Sequence, residues 1–332
     1  MRTRLVPLAV ATFALLGLAP AASAAQPATA PPCRQGALIP AVSPGHNDEF
    51  DGISALAAND VWAVGVYERS DGTVIYRPLI EHWNGTAWST VASPRPLPNL
   101  TYLGVKAISS SDAWAVGILS QTQVSQDYPV IVHWNGTAWR VAASPHLDGA
   151  MLALAAASPH DIWAVGLREK GPLGRDSTLA EHWNGHTWSV VSMPTKGFDG
   201  TINGITSTGP DDVWAAGSYD VDSPAGTALY TLAEHWNGQA WSVRLPPSPT
   251  GDDKLNAIAA VSPSDVWAVG DTAYNQTFVL HWNGHLWRIQ PGHTLSGANS
   301  VMWALSAPTA TDIWAGGGAG HAESLHFCPA TS

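Results

Sequence analysis

Hydrophobic and polar positions alternate in short segments along most of the chain, and the pattern recurs about every 50 residues. The fifth period shows it clearly, with branched and aromatic residues concentrated in segments 255–260, 266–271, 277–281 and 286–290. Turn-forming residues separate these segments, which is typical of antiparallel β-strands. Each period therefore predicts four short strands and no helix.

Two motifs mark each period. The first, Asp-x-Trp-Ala-x-Gly, begins at Asp60, Asp112, Asp161, Asp212, Asp265 and Asp312. The second, His-Trp-Asn-Gly-x-x-Trp, begins at His82, His133, His182, His235 and His281, and a sixth copy is broken after His326. Its Asn-Gly pair favours a type I′ hairpin between the third and fourth strands, because both central residues of that turn need a positive φ. The repeats predict an all-β fold, a six-bladed β-propeller of four-stranded antiparallel blades.

The sixth period contains three predicted strands instead of four, and an open ring would expose an unpaired strand edge. Residues 37–44 match the fourth-strand pattern of residues 87–94. We therefore expect the N-terminal strand to complete the last blade. The same alignment puts Cys33 and Cys328 at the interrupted hairpin and predicts a disulfide between them, which an exported protein can keep. The alternative is two unrelated free thiols.

The N-terminus predicts export. Arg2 and Arg4 precede an apolar run over 5–18, and Ala22-Ser23-Ala24 offers a cleavage site, so residues 1–24 are expected to be a secretory signal peptide. A linker over 25–32, a single propeller over 33–328 and a tail over 329–332 complete the predicted organisation. Later apolar stretches are shorter than the ~18 residues of a membrane span. We expect a secreted, extracellular monomer.

The formal net charge is −11, and the sequence contains no basic cluster, which narrows the classes of partner that we expect. Binding to nucleic acid depends on concentrated Lys and Arg, so nucleic acid is excluded as the expected partner. Acidity of this kind favours solubility outside the cell.

Sixteen of the 17 tryptophans occupy repeat positions, so we expect them to pack blade against blade rather than to bind sugars. The exception is Trp303, which aligns with Ser54, Lys106, Leu152, Asn203 and Asn256 and is the tryptophan singled out for function. The histidines recur at one strand position, which favours a hydrogen-bonding role over metal binding. The repeated aspartates such as Asp60 are expected to accept backbone N–H groups in Asx turns.

Connections between the strands differ in how much they vary. The variable ones join strands two and three of each period, or lead to the next first strand: 67–78, 119–129, 168–177, 219–230, 272–276, 318–323, 43–51, 94–103 and 291–298. Strand directions alternate, so we expect all of them at one end of the fold, the variable end, and the short similar turns at the other, the uniform end. Loops on a rigid scaffold usually carry function. The candidate ligand-binding residues are Trp303, Tyr67, Arg69, Tyr102, Tyr128, Arg168, Tyr219 and Tyr274.

Four aspartates precede first strands: Asp51, Asp148, Asp199 and Asp253. Two interpretations stand. They converge at the channel mouth and bind calcium, which takes 6–8 oxygen ligands, or they form ordinary turns.

The chain resembles the secreted actinobacterial propellers with Trp-Ala-Val-Gly and His-Trp-Asn-Gly repeats over residues 33–328. Residues 184–188 are also similar to the end of the Asp-box hairpin of sialidase-type propellers. The serine and aspartate of that box are replaced by Glu181 and Trp183, and the arginine cluster of a sialidase is not identifiable. The resemblance implies a fold and leaves the activity open.

Two hypotheses for function follow. The first is an extracellular, non-enzymatic recognition module that binds a glycan or a protein at the variable end. The second is a polysaccharide hydrolase or lyase with acidic residues at the channel mouth, which would need perturbed carboxylates in one central pocket.

Overall fold

The computed structural model describes residues 42, 46–70, 74–121, 126–145, 147–169, 175–194, 196–223, 226–291, 301–310, 312–318 and 322–327. The predicted signal peptide, linker, disulfide and tail lie outside these residues, as does the predicted closing strand apart from Val42. Of Arg69 the structure describes the backbone alone.

The described residues form β-strands and no helix, as the sequence predicts. The strands are β1 (His46–Ala57), β2 (Asp60–Ser70), β3 (Val74–Trp83), β4 (Trp88–Thr90), β5 (Leu100–Ser109), β6 (Asp112–Gln121), β7 (Gln126–Trp134), β8 (Trp139–Val141), β9 (Gly149–Ser158), β10 (Asp161–Arg168), β11 (Ser177–Trp183), β12 (Trp188–Val190), β13 (Phe198–Gly209), β14 (Asp212–Ser223), β15 (Gly226–Trp236), β16 (Trp241–Val243), β17 (Lys254–Ser262), β18 (Asp265–Asp271), β19 (Thr277–Trp282), β20 (Trp287–Ile289), β21 (Val301–Thr309), β22 (Asp312–Gly318) and β23 (Ala322–Phe327).

Successive strands pair antiparallel in chain order. Within the described ranges, β1–β4, β5–β8, β9–β12, β13–β16 and β17–β20 form five four-stranded sheets, and β21–β23 form a three-stranded one. We number them sheet one to sheet six. Their first strands, the inner strands, contact one another in succession from β1 to β21. Repeated antiparallel sheets of this kind fit a β-propeller.

The core lies between neighbouring sheets, as predicted for the repeat-position tryptophans. Trp163 of sheet three is buried, with ring centroids 4.9 Å from Trp236 and 5.2 Å from Trp241 of sheet four. Trp62, Trp114 and Trp214 make the same contacts with the next sheet. An indole in this position buries a large apolar area in the interface between two sheets.

The repeated histidines hydrogen-bond, as predicted, but their partner corrects the prediction for the aspartates. His182 Nε2 lies 2.8 Å from Asp161 Oδ1, and its ring stacks on Trp163 at 4.3 Å. The same His–Asp pair occurs in sheets one, two, four and five, at 2.6–2.9 Å. The expected Asx turn is therefore wrong, because the carboxylate joins the second strand to the third.

The hairpin between the third and fourth strands also differs in detail from the prediction. Trp83 pairs with Trp88, so four residues form the loop, and Asn84 Oδ1 accepts hydrogen bonds from the backbone N–H groups of Thr86 and Ala87. Gly85 has a φ of 93°, whereas Asn84 is not among the residues with a positive φ. The turn is thus not type I′, because the glycine alone has the positive φ that both central residues of that turn need. The hydrogen bonds to the asparagine side chain hold the loop instead.

At the variable end, several predicted loops are extended strands. In sheet four, β14 and β15 stay paired as far as Ser223 and Gly226, so Tyr219 lies opposite Tyr230 inside a ladder. Sheet five has instead the short turn between Thr272 and Gln276. None of the described residues forms a helix long and apolar enough to cross a membrane.

Candidate functional site

Each inner strand contains a β-bulge opposite the second half of the Trp-Ala-x-Gly segment, where pairing with the second strand skips one residue, and a further register shift near the end of the strand. The skipped residues, which we call the bulge residues, are Asp51, Leu103, Leu152, Asn203, Asn256 and Trp303. A bulge re-aims the extra side chain out of the alternation of the strand. At this shared position, each of the six sheets therefore presents a side chain that departs from the alternation of its strand.

This register corrects the sequence alignment of Trp303. Its equivalents in sheets one and two are Asp51 and Leu103, while Ser54 and Lys106 lie three residues further on, opposite Trp62 and Trp114. Asp51 is consequently a residue of the inner strand itself rather than of the link before it.

Two bulge residues bridge to the next sheet. Asn203 Nδ2 donates to Leu255 O at 2.8 Å, and Asn256 Nδ2 donates to Met302 O at 3.0 Å. Both carbonyls belong to the residue before the next bulge. The inner strands pack so closely that a Cβ on Gly104, which follows Leu103, would lie 3.0 Å from Leu152 O. The bulge residues therefore lie where successive sheets come closest.

A polar cluster between sheets five and six is the best-formed candidate site, and we call it the Lys254 cluster. Asn256 Nδ2 also donates to Asp271 Oδ1 at 2.6 Å. Lys254 Nζ lies 3.8 Å from Asp271 Oδ2 and 5.3 Å from the ring centroid of Trp303. The Asp271 side chain is 7% exposed, whereas Trp303 is 58% exposed. A buried carboxylate, an ammonium and an accessible indole thus meet at one place.

A cavity of about 370 Å³ adjoins this cluster. Its lining comprises Leu229, Asp252, Lys254, Asp271, Thr272, Ala273 and Asn275. The lining residues come from the variable end of sheets four and five, which agrees with the predicted location of the binding surface. Lys254 and Asp271 were missed by the sequence analysis. A signal existed, because Asp271 follows Trp-Ala-Val-Gly where the other copies have Val66, Ile118, Leu167, Ser218 and Gly318.

The remaining aromatic and basic candidates are spread over the variable end. Tyr274, 71% exposed, lies in the turn beside the cavity, and Arg168 is exposed at the end of β10. Tyr128 is half-buried in β7, donates to Gln126 Oε1 at 2.7 Å and lines a separate cavity of about 440 Å³. Tyr67 is half-buried in β2, and Arg69 follows in the same strand.

Two predicted ligand contacts are corrected by burial. Tyr102 has no exposed surface, and its hydroxyl lies 2.9 Å from Ser93 Oγ; burial raises its pKa to about 12. Tyr219 belongs to the core between sheets three and four, with its ring 5.9 Å from Tyr230. Neither side chain is accessible to a ligand, since both fill sheet interfaces.

The predicted calcium site is not formed by the four aspartates. Asp253 is fully buried and accepts hydrogen bonds from Thr250 N, Thr250 Oγ1 and Gly251 N at 2.6–3.0 Å. Asp199 Oδ1 accepts one from Asp176 N at 2.6 Å. Among the residues that the structure describes, no three His, Cys, Asp or Glu side chains are arranged to hold a metal ion. The turn interpretation accounts for Asp253, whereas Asp51 is a bulge residue.

Several carboxyl groups at the variable end have raised pKa values. Asp51 is exposed, yet the surrounding protein removes part of its hydration and Glu49 adds repulsion, which together raise its pKa to about 7. Partial burial and then neighbouring carboxylates raise the pKa values of Glu169, Asp176 and Asp220. Like charges at this end therefore disfavour one another and would disfavour an anionic ligand.

Comparisons with known proteins show the fold alone. No protein-family model matches the chain, and no curated protein matches it. Among solved structures, YCF48 bound to D1 peptide has a TM-score of 0.52 and 15% identity, covering 85% of this chain and 79% of that chain. The ulvan lyase of family PL25 has a TM-score of 0.52 and 11% identity, covering 82% of this chain and 77% of that chain. The fucose-specific lectin from Aleuria aurantia has a TM-score of 0.50 and 10% identity, covering 85% of this chain and 96% of that chain. These propeller-like neighbours agree with the sheet topology.

Proposed function

We propose that residues 33–328 form a closed six-bladed propeller, exported from the cell, in which the N-terminal strand completes sheet six. Val42 N donates to Glu81 Oε2 of sheet one at 3.2 Å, which supports a position of this segment against that sheet. Ile53 of β1 is 64% exposed, whereas its equivalent Val105 is 8% exposed. A closed ring would cover Ile53 with sheet six.

Closure is tested by mass spectrometry of the unreduced, exported protein. The proposal expects a peptide pair joined through Cys33 and Cys328, and an N-terminus near Ala25. Two free thiols would overturn the closure.

We propose further that the protein is an extracellular, monomeric recognition module that binds a glycan at the variable end. The observation that carries this is the exposed Trp303. Trp62, Trp114, Trp163 and Trp214 pack in the interfaces between sheets. Trp303 instead presents an exposed ring to Lys254, which also lines the cavity. A large rigid aromatic surface with convergent polar groups is typical of a ligand site.

A glycan array with the purified mature protein tests this function. Binding to a defined set of glycans, weakened by Trp303→Ala, is the expected result. Binding to no glycan, together with a specific protein partner that is lost on changing Tyr274 or Arg168, would replace glycan recognition by protein recognition at the same end.

A second candidate function is hydrolysis or lysis of a polysaccharide. Asp51 favours it, because an accessible carboxyl group with a pKa of about 7 is suited to general acid or base catalysis near neutral pH. Incubation with a polysaccharide panel, followed by measurement of new reducing ends and of unsaturated sugars, tests it. Activity that is abolished by Asp51→Asn would establish the enzyme, and no product from any polysaccharide would leave recognition.

A further inference from the structure

The distance between Lys254 and Asp271 leaves hydrogen-bonding capacity on both groups for a third polar group beside them. Their N···O separation of 3.8 Å exceeds the 2.7–3.2 Å of an N–H···O hydrogen bond. An ammonium group has three donors and no acceptor, and a carboxylate has acceptors alone. A hydroxyl group can accept from the first and donate to the second at the same time. The pair is therefore complementary to an alcohol rather than to another charged group.

Asp271 is held in one orientation before any ligand arrives. Asn256 donates to its Oδ1 and also to Met302 O, so the amide connects the carboxylate to the backbone of sheet six. With Oδ1 occupied and the side chain almost fully buried, Oδ2 is the atom turned towards Lys254. A fixed acceptor reduces the entropy cost of binding.

Trp303 supplies the apolar part of the site. Its exposed indole is flat and rigid, and the C–H face of a sugar ring is the apolar surface that such a ring stacks on. The Lys254 ammonium makes a cation–π contact with the exposed face of this ring, 5.3 Å from its centroid. That contact is weak enough for Lys254 to turn towards a ligand.

The charges favour a sugar without an acidic group. The cavity lining and cluster contain Lys254 against Asp252 and Asp271, and the whole chain has a formal charge of −11. A uronic acid would meet two carboxylates and one ammonium in an acidic protein, and so would be repelled. The cavity volume of about 370 Å³ is within the ~300–1,000 Å³ range of small-molecule sites.

Among the six sheets, this combination of side chains occurs at one place. The packing that all sheets share therefore does not explain it. Positions equivalent to Lys254 hold Glu49, Thr101, Ala150, Thr201 and Val301, and Trp303 is the single aromatic bulge residue. Five sheets form without these side chains, so the fold does not demand them.

We propose that the Lys254 cluster binds one neutral sugar ring, stacked on Trp303, with a ring hydroxyl that accepts a hydrogen bond from Lys254 and donates one to Asp271. This rests on the proposed glycan recognition and adds the place and the class of sugar. It predicts that neutral glycosides compete with one another for the site and that the acidic analogue binds more weakly.

Titration calorimetry of the mature protein tests the inference, with methyl glycosides of glucose, galactose, mannose, fucose and N-acetylglucosamine and with methyl glucuronide as probes. Trp303→Ala should raise the Kd of the binding glycoside about tenfold, the upper effect of an aromatic pair. Asp271→Asn should raise it about 10–100-fold, since a hydrogen bond to a charged group is lost. Tyr76→Ala is the matched control, because it removes an exposed aromatic side chain from β3 of sheet one, and should leave the Kd unchanged.

The outcomes distinguish this inference from the proposed function. If an array detects glycan binding that neither Trp303→Ala nor Lys254→Gln weakens, recognition stands and the site is wrong. If methyl glucuronide binds more tightly than the neutral glycosides, or no neutral glycoside binds, the class of sugar is wrong. Thermal unfolding shows whether each variant is folded, and Lys254→Gln decides the matter if Trp303→Ala does not fold.

Discussion

The uniform end and the inner strands repeat with the same period but use their repeats differently. At the uniform end, sheets one to five place the same aspartate, histidine and tryptophan together, with the His–Asp distance within 2.6–2.9 Å. At the inner strands, equivalent bulge positions hold carboxylate, aliphatic, amide and indole side chains. The uniform end has the same side chains in each of these sheets. The inner strands share a backbone geometry, but their side chains at the bulge differ from sheet to sheet.

This difference separates residues that stabilise the sheets from residues available for binding. A side chain that every sheet repeats is explained by a contact that every sheet needs. A side chain that one sheet alone carries at a shared backbone position needs another explanation. Trp163 and Trp303 are chemically identical and fall on opposite sides of this division.

The largest effect is expected from truncating the packing tryptophan. Trp163→Ala should lower the free energy of unfolding by roughly 3–5 kcal/mol, because a buried aromatic leaves a cavity between sheets three and four. Trp303→Ala is the matched control and should cost less than about 1 kcal/mol, the strength of its exposed cation–π contact. Urea unfolding of both variants measures the two values, and similar losses would contradict the comparison.

An intermediate, pH-dependent effect is expected at Glu234, which is fully buried in β15 and without a hydrogen-bond partner among the described residues. Burial raises its pKa from 4.5 to about 8. Above pH 4.5 the unfolded chain ionises this group while the folded protein keeps the proton, so stability falls as pH rises towards 8 and then levels off. Glu234→Gln should be more stable than the parent by roughly 2–4 kcal/mol near pH 8.

The same pair of proteins should have nearly equal stability near pH 4, where the carboxyl group is protonated in both states. Urea unfolding across this range is the measurement. A difference between parent and Glu234→Gln that does not change with pH would contradict the assignment of the effect to ionisation.

The smallest effect is expected from the repeated hydrogen bond between aspartate and histidine. Burial alone raises the pKa of Asp212, but hydrogen bonds from His235 and Thr208 outweigh it and leave the pKa below its usual value. The pair therefore stabilises the fold at pH values above the usual pKa of an aspartate. This stabilisation is lost as pH falls through the lowered pKa of Asp212 in the folded protein. Asp212→Asn should cost about 1–2 kcal/mol near neutral pH and less in acid.

Asp222→Asn is the control for this variant, since Asp222 is exposed and lies 3.8 Å from Arg175. Surface pairs of this kind contribute little, so its unfolding free energy should change by less than about 0.5 kcal/mol. An equal loss in both variants would show that the repeated pair has no special role.

The sequence predicted the repeated antiparallel sheets because both motifs recur at a regular spacing. Four strands per period, the tryptophan packing and the hydrogen-bonding histidines follow from local patterns and are confirmed. The hydrogen-bond donor to each aspartate was predicted wrongly, because the Asp–His contact depends on the cross-strand register of β2 with β3 and its equivalents. That register is set by the packed sheet and is not visible in one strand.

The candidate site was predicted in part. Trp303 was found because it breaks the repeat, but its alignment with Ser54 and Lys106 was wrong. A small residue followed by a branched or leucine residue, as in Gly52-Ile53, Gly104-Val105 and Ala304-Leu305, marks the bulge in the sequence and would have corrected it. Burial of Tyr219 was missed because strand pairing continues past the point where the repeat becomes variable.

The bulge of the inner strand has a consequence for how this scaffold can change. Its extra residue stands outside the alternation of the strand, so a new side chain there leaves the repeated contacts of aspartate, histidine and tryptophan at the uniform end as they were. The bulge positions can therefore be changed one residue at a time, by natural selection or by design, while the repeated contacts go on specifying the same sheets. Grafting an indole at position 103 or 152 would be the simplest way to give another sheet a binding surface of its own.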